Sequence, residues 1–452
     1  MAEYTASTAI WSTCNGGIVP ANGDTINVAS LLAMDEDSAG AETFTVNVAA
    51  GITLNLAGWT LAATVTRAAG ANINFVNGVL TGTITATASG GTIVLGTGAA
   101  LVGAVDMAGN SCTWAGTGTL DCSLTDELDL GGAATGLSIE VSANTTTIVT
   151  DLTCLGFNHS AGTIICTGLP TISVGSGGFV SEGVLADNTV KVAFWENGEI
   201  DTYNRIIRNL HIPVGITATT KTGSGVFYPA ALTGGGVLNI GDAAVAMRIC
   251  PAANDFLSGW TGTISGPGYP RVYNTNYSPG GDLIITCAQG FMFEAGGSRT
   301  IVWDGNIDVA GPITIRTAGT ATWTITLSVG KTIRCTDVTL GSDAAADHLV
   351  LSLLGNLIAT GDIAKGAASA SVSVALNSSH VQCNTFDGDG ITITDTYGAC
   401  HIMGVGAASE LKNVATDNLI LAHDFATYGA NTNVGQDTHA APGSMALCGV
   451  GY

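Results

Sequence analysis

The chain has 452 residues, of which 46% are apolar and 11% charged, with a formal net charge of −22 and a mean hydropathy of +0.39. No stretch approaches the roughly 18 uninterrupted apolar residues that a spanning helix needs, which excludes a helical membrane span. The charge is uneven, with one basic residue (Arg67) against fifteen acidic ones up to Val190, and no cluster of Lys and Arg forms the footprint of nucleic-acid binding.

The apolar content is instead Ala, Val and Ile dispersed among 62 Gly and many Thr. The opening Met-Ala-Glu-Tyr-Thr-Ala-Ser-Thr has neither a basic start nor an apolar core. It predicts no secretory signal and therefore synthesis in a cytoplasm. Trp11 and Pro20 precede Gly23-Asp24-Thr25-Ile26-Asn27-Val28, a pattern that resembles the opening turn of right-handed parallel β-helix proteins; the resemblance implies a first strand from Thr25, with residues 1–22 covering the open end of a core.

Leu31–Gly40 is the one place where a short helix is expected. Farther on, from Asn72 to Asp106, runs of three to five strand-forming residues are stopped by Gly, Asn or Ser, as in Gly-Thr-Ile-Thr (82–85) and Gly-Thr-Ile-Val (91–94). No helical stripe fits them. Strands this short bury an apolar face only by stacking on copies of themselves, which predicts a β-solenoid over 23–192. Thr125–Leu130 gathers three acids and reads as a loop.

Tyr, Pro and Arg are enriched over 193–280, around Trp195, Tyr203, Tyr269 and Tyr273. This segment reads as a loop-rich insertion or subdomain, and such loops are where recognition usually sits. The four aromatic residues are its candidate binding residues. Strands resume over 281–403, and 404–452 reads as a cap or docking tail, because an open solenoid end would pair with other chains. Within that tail, Glu410–His423 is compatible with a helix or a last strand pair.

Eleven cysteines are present, an odd number for closed pairs. Cys287, Cys335 and Cys383 are 48 residues apart in similar settings, which fits equivalent positions two rungs of about 24 residues apart. Cys112/Cys122 and Cys154/Cys166 are candidate disulfides in an oxidising medium; the alternative is buried, reduced Cys acting as a small apolar residue.

Asp387-Gly388-Asp389-Gly390, with Asp395 downstream, resembles the start of a Ca²⁺-binding loop without the terminal Glu. A turn between rungs is the competing reading. Glu196/Glu199/Asp201, Asp304/Asp308 and Asp126/Glu127/Asp129 are the carboxylate groupings that glycan cleavage would require, and each reads equally as solvated loop acids. No grouping carries a catalytic signature, so no catalytic residue is assigned, and no cofactor is expected beyond Ca²⁺.

The Trp11, Pro20 and Gly23–Val28 pattern resembles the opening turn of right-handed parallel β-helix proteins. In its cytoplasmic start, low charge and Gly/Thr-rich strands the chain also resembles phage-borne members of that group. The resemblance implies an all-β, right-handed parallel β-helix and a structural virion protein, a capsid decoration protein or a fibre. It would be made in a host cytoplasm and partnered by other virion subunits, with a homo-oligomer, a trimer among the options, expected. A tailspike-like, glycan-binding or glycan-cleaving solenoid and a cell-surface adhesin or layer protein remain the alternatives, and a β-sandwich array is the alternative fold.

Overall fold

The computed structural model describes residues 2–428 except 22, 39–43, 123–126, 143–144, 187–188, 222–225, 250–255, 274–280, 296–297, 318–321, 342–347, 367–370, 378, 395–399, 406–407, 415–419, 424 and 426. Short strands stack in parallel, rung upon rung, in two compact units, Met1–His211 and Ile212–Tyr452. The fold is a parallel β-solenoid. Among the described residues helical geometry is confined to 3₁₀ turns, at Trp11–Thr13 and at Ala186. The expected helix over Leu31–Gly40 is therefore replaced, in its described part, by the strand Leu32–Ala33 paired with Leu54–Asn55. Its acids are drawn to neighbouring rungs: Thr60 N–H donates to Asp37 at 2.6 Å and Ser12 N–H to Asp35 at 2.9 Å.

In the first unit the register repeats after as few as 18 residues, from Thr145 to Thr163. Each strand alternates, so one set of side chains points inward at every rung. Three inward columns result. Ile26, Val46, Val65, Ile84, Val105, Leu128, Ile148 and Cys166 form one. Leu54, Ile73, Ile93 and Trp114 form a second. Leu61, Leu80, Leu101, Leu120, Ile139, Phe157, Phe179 and Ile200 form the third. All are buried, and Phe157 stacks on Phe179 with ring centroids 5.6 Å apart. Strand and apolar column together supply the burial that a three- or four-residue strand lacks alone.

A strand opens at Thr25 as expected, but it is not the first: Glu3–Thr5 is a strand that pairs with it in parallel, and Asp24 ties this N-terminal segment down by accepting from Ala2 N–H at 2.8 Å and Ala21 N–H at 2.9 Å. Trp11 is buried edge-on against Phe44, centroids 5.4 Å apart. Thr125–Leu130, expected as a loop, contains the strand Glu127–Asp129, with Leu128 in the first core column.

Arg67, the one Lys or Arg before Lys191, occupies a core column between Val48 and Ala86 and is fully buried. Its Nη2 donates to the carbonyls of Ala71 and Gly90, both at 2.7 Å, and Nε to Ala71 at 3.2 Å. Burial pushes the guanidinium pKa down.

In the second unit the register step reaches 26 residues, from Val237 to Thr263. One core column runs Ala218, Leu238, Ile264, Ile285 and Val309. Continuing the register carries it into Cys335, Ala359 and Cys383. Cys335 and Cys383 are thus equivalent positions two rungs apart. Cys287 is not in that column; it lies two residues past Ile285 on its rung. Over 212–280 the described residues carry strands of this unit's coil, including Val237–Ile240 and Tyr269–Tyr273. Glu410–Lys412 and Ile420–His423 are strands, as one of the two expectations for that segment had it.

Glycine is required where rungs meet at corners. Gly103 has φ +146°, and a Cβ there would lie 2.0 Å from the Gly82 carbonyl oxygen. Gly103→Val is expected to destabilise the first unit by about 1–3 kcal/mol or more through backbone strain and rung separation. Arg67→Met leaves the Ala71 and Gly90 carbonyls without a donor, at about 1–3 kcal/mol each. Chemical-denaturation midpoints of the two variants check both values.

Candidate functional site

Two outward faces gather the side chains available for recognition. In the first unit, the residues alternating with the Ile26–Val105 column form two parallel ladders, Thr25, Thr45, Thr64 and Thr83 beside Asn27, Asn47, Thr66 and Thr85. Rungs are about 4.8 Å apart, so like side chains meet along each ladder. Asn47 Nδ2 donates to Asn27 Oδ1 at 2.9 Å, Asn27 Nδ2 to Glu3 Oε1 at 3.2 Å, and Thr85 Oγ1 to Thr66 Oγ1 at 3.4 Å. None of these eight ladder positions is charged; Glu3 and Asp106 bound them. Beside them Ala29, Ala49, Ala68 and Thr87 line a groove of about 350 Å³ with Asn27, Asn47 and Thr66.

In the second unit the candidate binding residue Tyr273 stands among arginines. Register places Tyr228 beside Arg248, Arg248 beside Arg271, and Tyr273 beside Glu294, which is beside Arg316. The Arg248 guanidinium carbon lies 4.9 Å from the Tyr228 ring centroid and 4.1 Å from that of Tyr273, and Arg271 lies 4.9 Å from Tyr273. Arg248 Nη1 donates to the Tyr228 hydroxyl. Glu294 is shared by Arg271 at 2.6 Å and Arg316 at 3.2 Å. Tyr269 is half-buried four residues before Tyr273 on the same strand, beside Ala246. Enrichment of Tyr and Arg pointed to this segment in the sequence; the charge ladder itself required the 20- to 23-residue register, such as Arg248 to Arg271 and Tyr228 to Arg248.

The remaining candidates are mostly committed to the scaffold. Trp195 Nε1 donates to the Cys154 carbonyl at 3.2 Å, and its ring covers Gly175, where a Cβ would fall 2.5 Å from it. Tyr203 is exposed, sits at φ +44°, and donates its N–H to buried Asp201 at 3.0 Å; a hydrogen bond with Glu182 pushes its phenol pKa up. Glu196 accepts from Ser176 N–H at 3.3 Å, while Glu199 is exposed. Asp129 is buried and accepts from Gly109 N–H, Gly131 N–H and Thr150 Oγ1 at 2.9, 3.0 and 3.2 Å. Asp304 pairs with Lys331 at 3.6 Å, and Asp308 is exposed beside Arg334.

Asp387 serves as a turn and inter-rung tie. It accepts from Asp389 N–H at 3.2 Å and Asn413 Nδ2 at 2.8 Å, and pairs with Lys412 at 3.5 Å. Burial raises its pKa, but these three partners together hold it below the usual carboxylate value. Asp395 lies outside the described residues, and among those described no three His, Cys, Asp or Glu side chains form a metal-sized group.

One pair went unnoticed in the sequence. His159 Nδ1 and Ser181 Oγ are 2.9 Å apart on adjacent rungs, 22 residues apart. Both are fully buried, out of a substrate's reach.

The candidate disulfides are corrected. Cys112, Cys122, Cys154 and Cys166 are buried thiols, none of them in a disulfide. Cys154 stacks between Ala134 and Val174, whereas Cys166 follows Ile148 in another column, so stacking sends the two side chains to different faces of the core. Burial pushes Cys154, Cys166, Cys287 and Cys335 up to about 12. The unfolded chain releases these protons from about pH 9, the folded chain only near 12. Stability is therefore expected to be undiminished by these thiols below pH 9 and to fall progressively between pH 9 and 12, measured by denaturation across that range. A thiol reagent at pH 8 should label these four cysteines only after unfolding.

Comparison with known proteins finds no matching family model, no matching curated protein and no matching solved structure.

Proposed function

We propose that the protein is a non-catalytic structural subunit that assembles with copies of itself, and that its setting is a virus particle, as a capsid decoration protein or a fibre. The carrying observation is the uncharged Thr/Asn face of the first unit. Copies of a chain with a net charge of −22 repel one another. Two copies approach at least cost where neither presents charge, and the ladder face from Thr25/Asn27 to Thr83/Thr85 is such a place. Their hydroxyls and amides repeat at the rung spacing, so a second copy meets donors and acceptors in a matching row. A scaffold role is supported further by Asp129 and Asp387, which the fold uses to tie turns.

A double variant, Asn47→Arg with Thr64→Arg, places four charges across any two copies meeting at this face. Sedimentation is expected to show an oligomer for the parent chain and a monomer for the variant, with the same melting temperature. An oligomer in both would remove this face as the contact. Immunogold electron microscopy of the producing lysate tests the setting: gold over particle shells or fibres is expected, and gold confined to cell envelopes would refute the virion placement.

A further inference from the structure

We propose that the Tyr228–Arg248–Tyr273–Arg271–Glu294–Arg316 ladder is a binding site for an acidic saccharide, a chain of sugars carrying carboxylate or sulfate groups.

The argument begins with charge. Three guanidinium groups face one carboxylate: Glu294 takes both Arg271 and Arg316, and Arg248 pairs with no carboxylate among the described residues. The register sets Arg248 directly beside Arg271, two like charges about one rung apart. Such a juxtaposition is unfavourable by itself, and an anion between the two relieves it. The excess of two positive charges is conspicuous in a chain with 13 basic and 35 acidic residues.

Donor capacity comes next. Arg248 has five N–H donors. Of these, the described residues accept one, through the Tyr228 hydroxyl, while Nε is buried without a partner. Two tyrosine rings hold the guanidinium plane in place, so the remaining donors are oriented before any ligand arrives, and a planar guanidinium matches a carboxylate or sulfate in a two-point contact. Arg316, with a side chain 37% exposed, extends the cationic strip by two rungs.

The aromatic groups and the geometry select the ligand class. Tyr228, Tyr269 and Tyr273 are half-buried on the same sheet and supply ring surface. The strip crosses successive rungs at about 4.8 Å each, which suits an elongated polymer lying across the strands. A nucleic acid offers anions too, but it is held by a long run of phosphate-neutralising residues. Here the strip holds only three arginines, Arg248, Arg271 and Arg316.

Isothermal titration of the full chain with polygalacturonate oligomers, dextran sulfate, neutral dextran and a single-stranded oligonucleotide tests the site. Binding of the carboxylated or the sulfated polymer is expected, weakening with added salt, with no binding of dextran; the preferred polymer identifies the acidic group. Arg248→Met is expected to weaken binding roughly tenfold or more. Because Arg248 also packs between rings, Arg316→Gln, at a more exposed position, supplies a second variant, expected to weaken binding in the same direction with an unchanged melting curve. The assignment is overturned if neither acidic polymer binds, if dextran binds equally, if the oligonucleotide binds in preference, or if both folded variants bind like the parent.

Discussion

The in-register parallel ladder of backbone hydrogen bonds is the constraint on which everything else depends. It places each residue about 4.8 Å from one found a rung earlier, with its side chain pointing the same way. Inward positions must therefore be apolar at rung after rung, as Ile26, Val46, Val65 and Ile84 are. Outward positions stack like upon like, which yields an amide ladder at Asn27 and Asn47 and an arginine pair at Arg248 and Arg271. The same closeness leaves no room for a Cβ at corners such as Gly103.

Charge is distributed in response to this stacking. Repeating an acidic residue at equivalent positions aligns like charges, as at Asp106 beside Asp129 and Asp121 beside Glu140, whereas the ladders from Thr25 to Thr85 carry Thr and Asn there. Several acids close turns by accepting backbone N–H groups, as Asp24 and Asp129 do. Arg67 is the inverse case, a cation in the core whose donors satisfy carbonyls at the end of its rung. Cation and acid alike serve the backbone before they serve any partner.

The cysteines follow the same logic. In a coil whose inward columns take small and medium apolar residues, Cys335 and Cys383 alternate with Ala359, and Cys154 sits between Ala134 and Val174. Their spacing reports the period of the coil, and their chemistry is suppressed by burial. Only Cys287 breaks the pattern, because the rungs near it differ in length: Ile285 to Val309 is 24 residues and Asp308 to Arg334 is 26.

From its sequence alone the chain determined that it is all-β and a stack of short parallel strands, and it located the strand at Thr25, though not the Glu3–Thr5 strand that precedes and pairs with it. These are local properties, set by runs of β-branched residues, Gly stops and the absence of a helical stripe. Tyr and Arg enrichment likewise marked the segment holding Tyr269 and Tyr273. Which side chains meet was decided only by tertiary structure. A change of one or two residues in rung length moves every later side chain along its row, so Tyr228 to Arg248, Arg271 to Glu294 and His159 to Ser181 are unreadable without the register. For the same reason Cys154 and Cys166, close in sequence, are separated into different columns of the core.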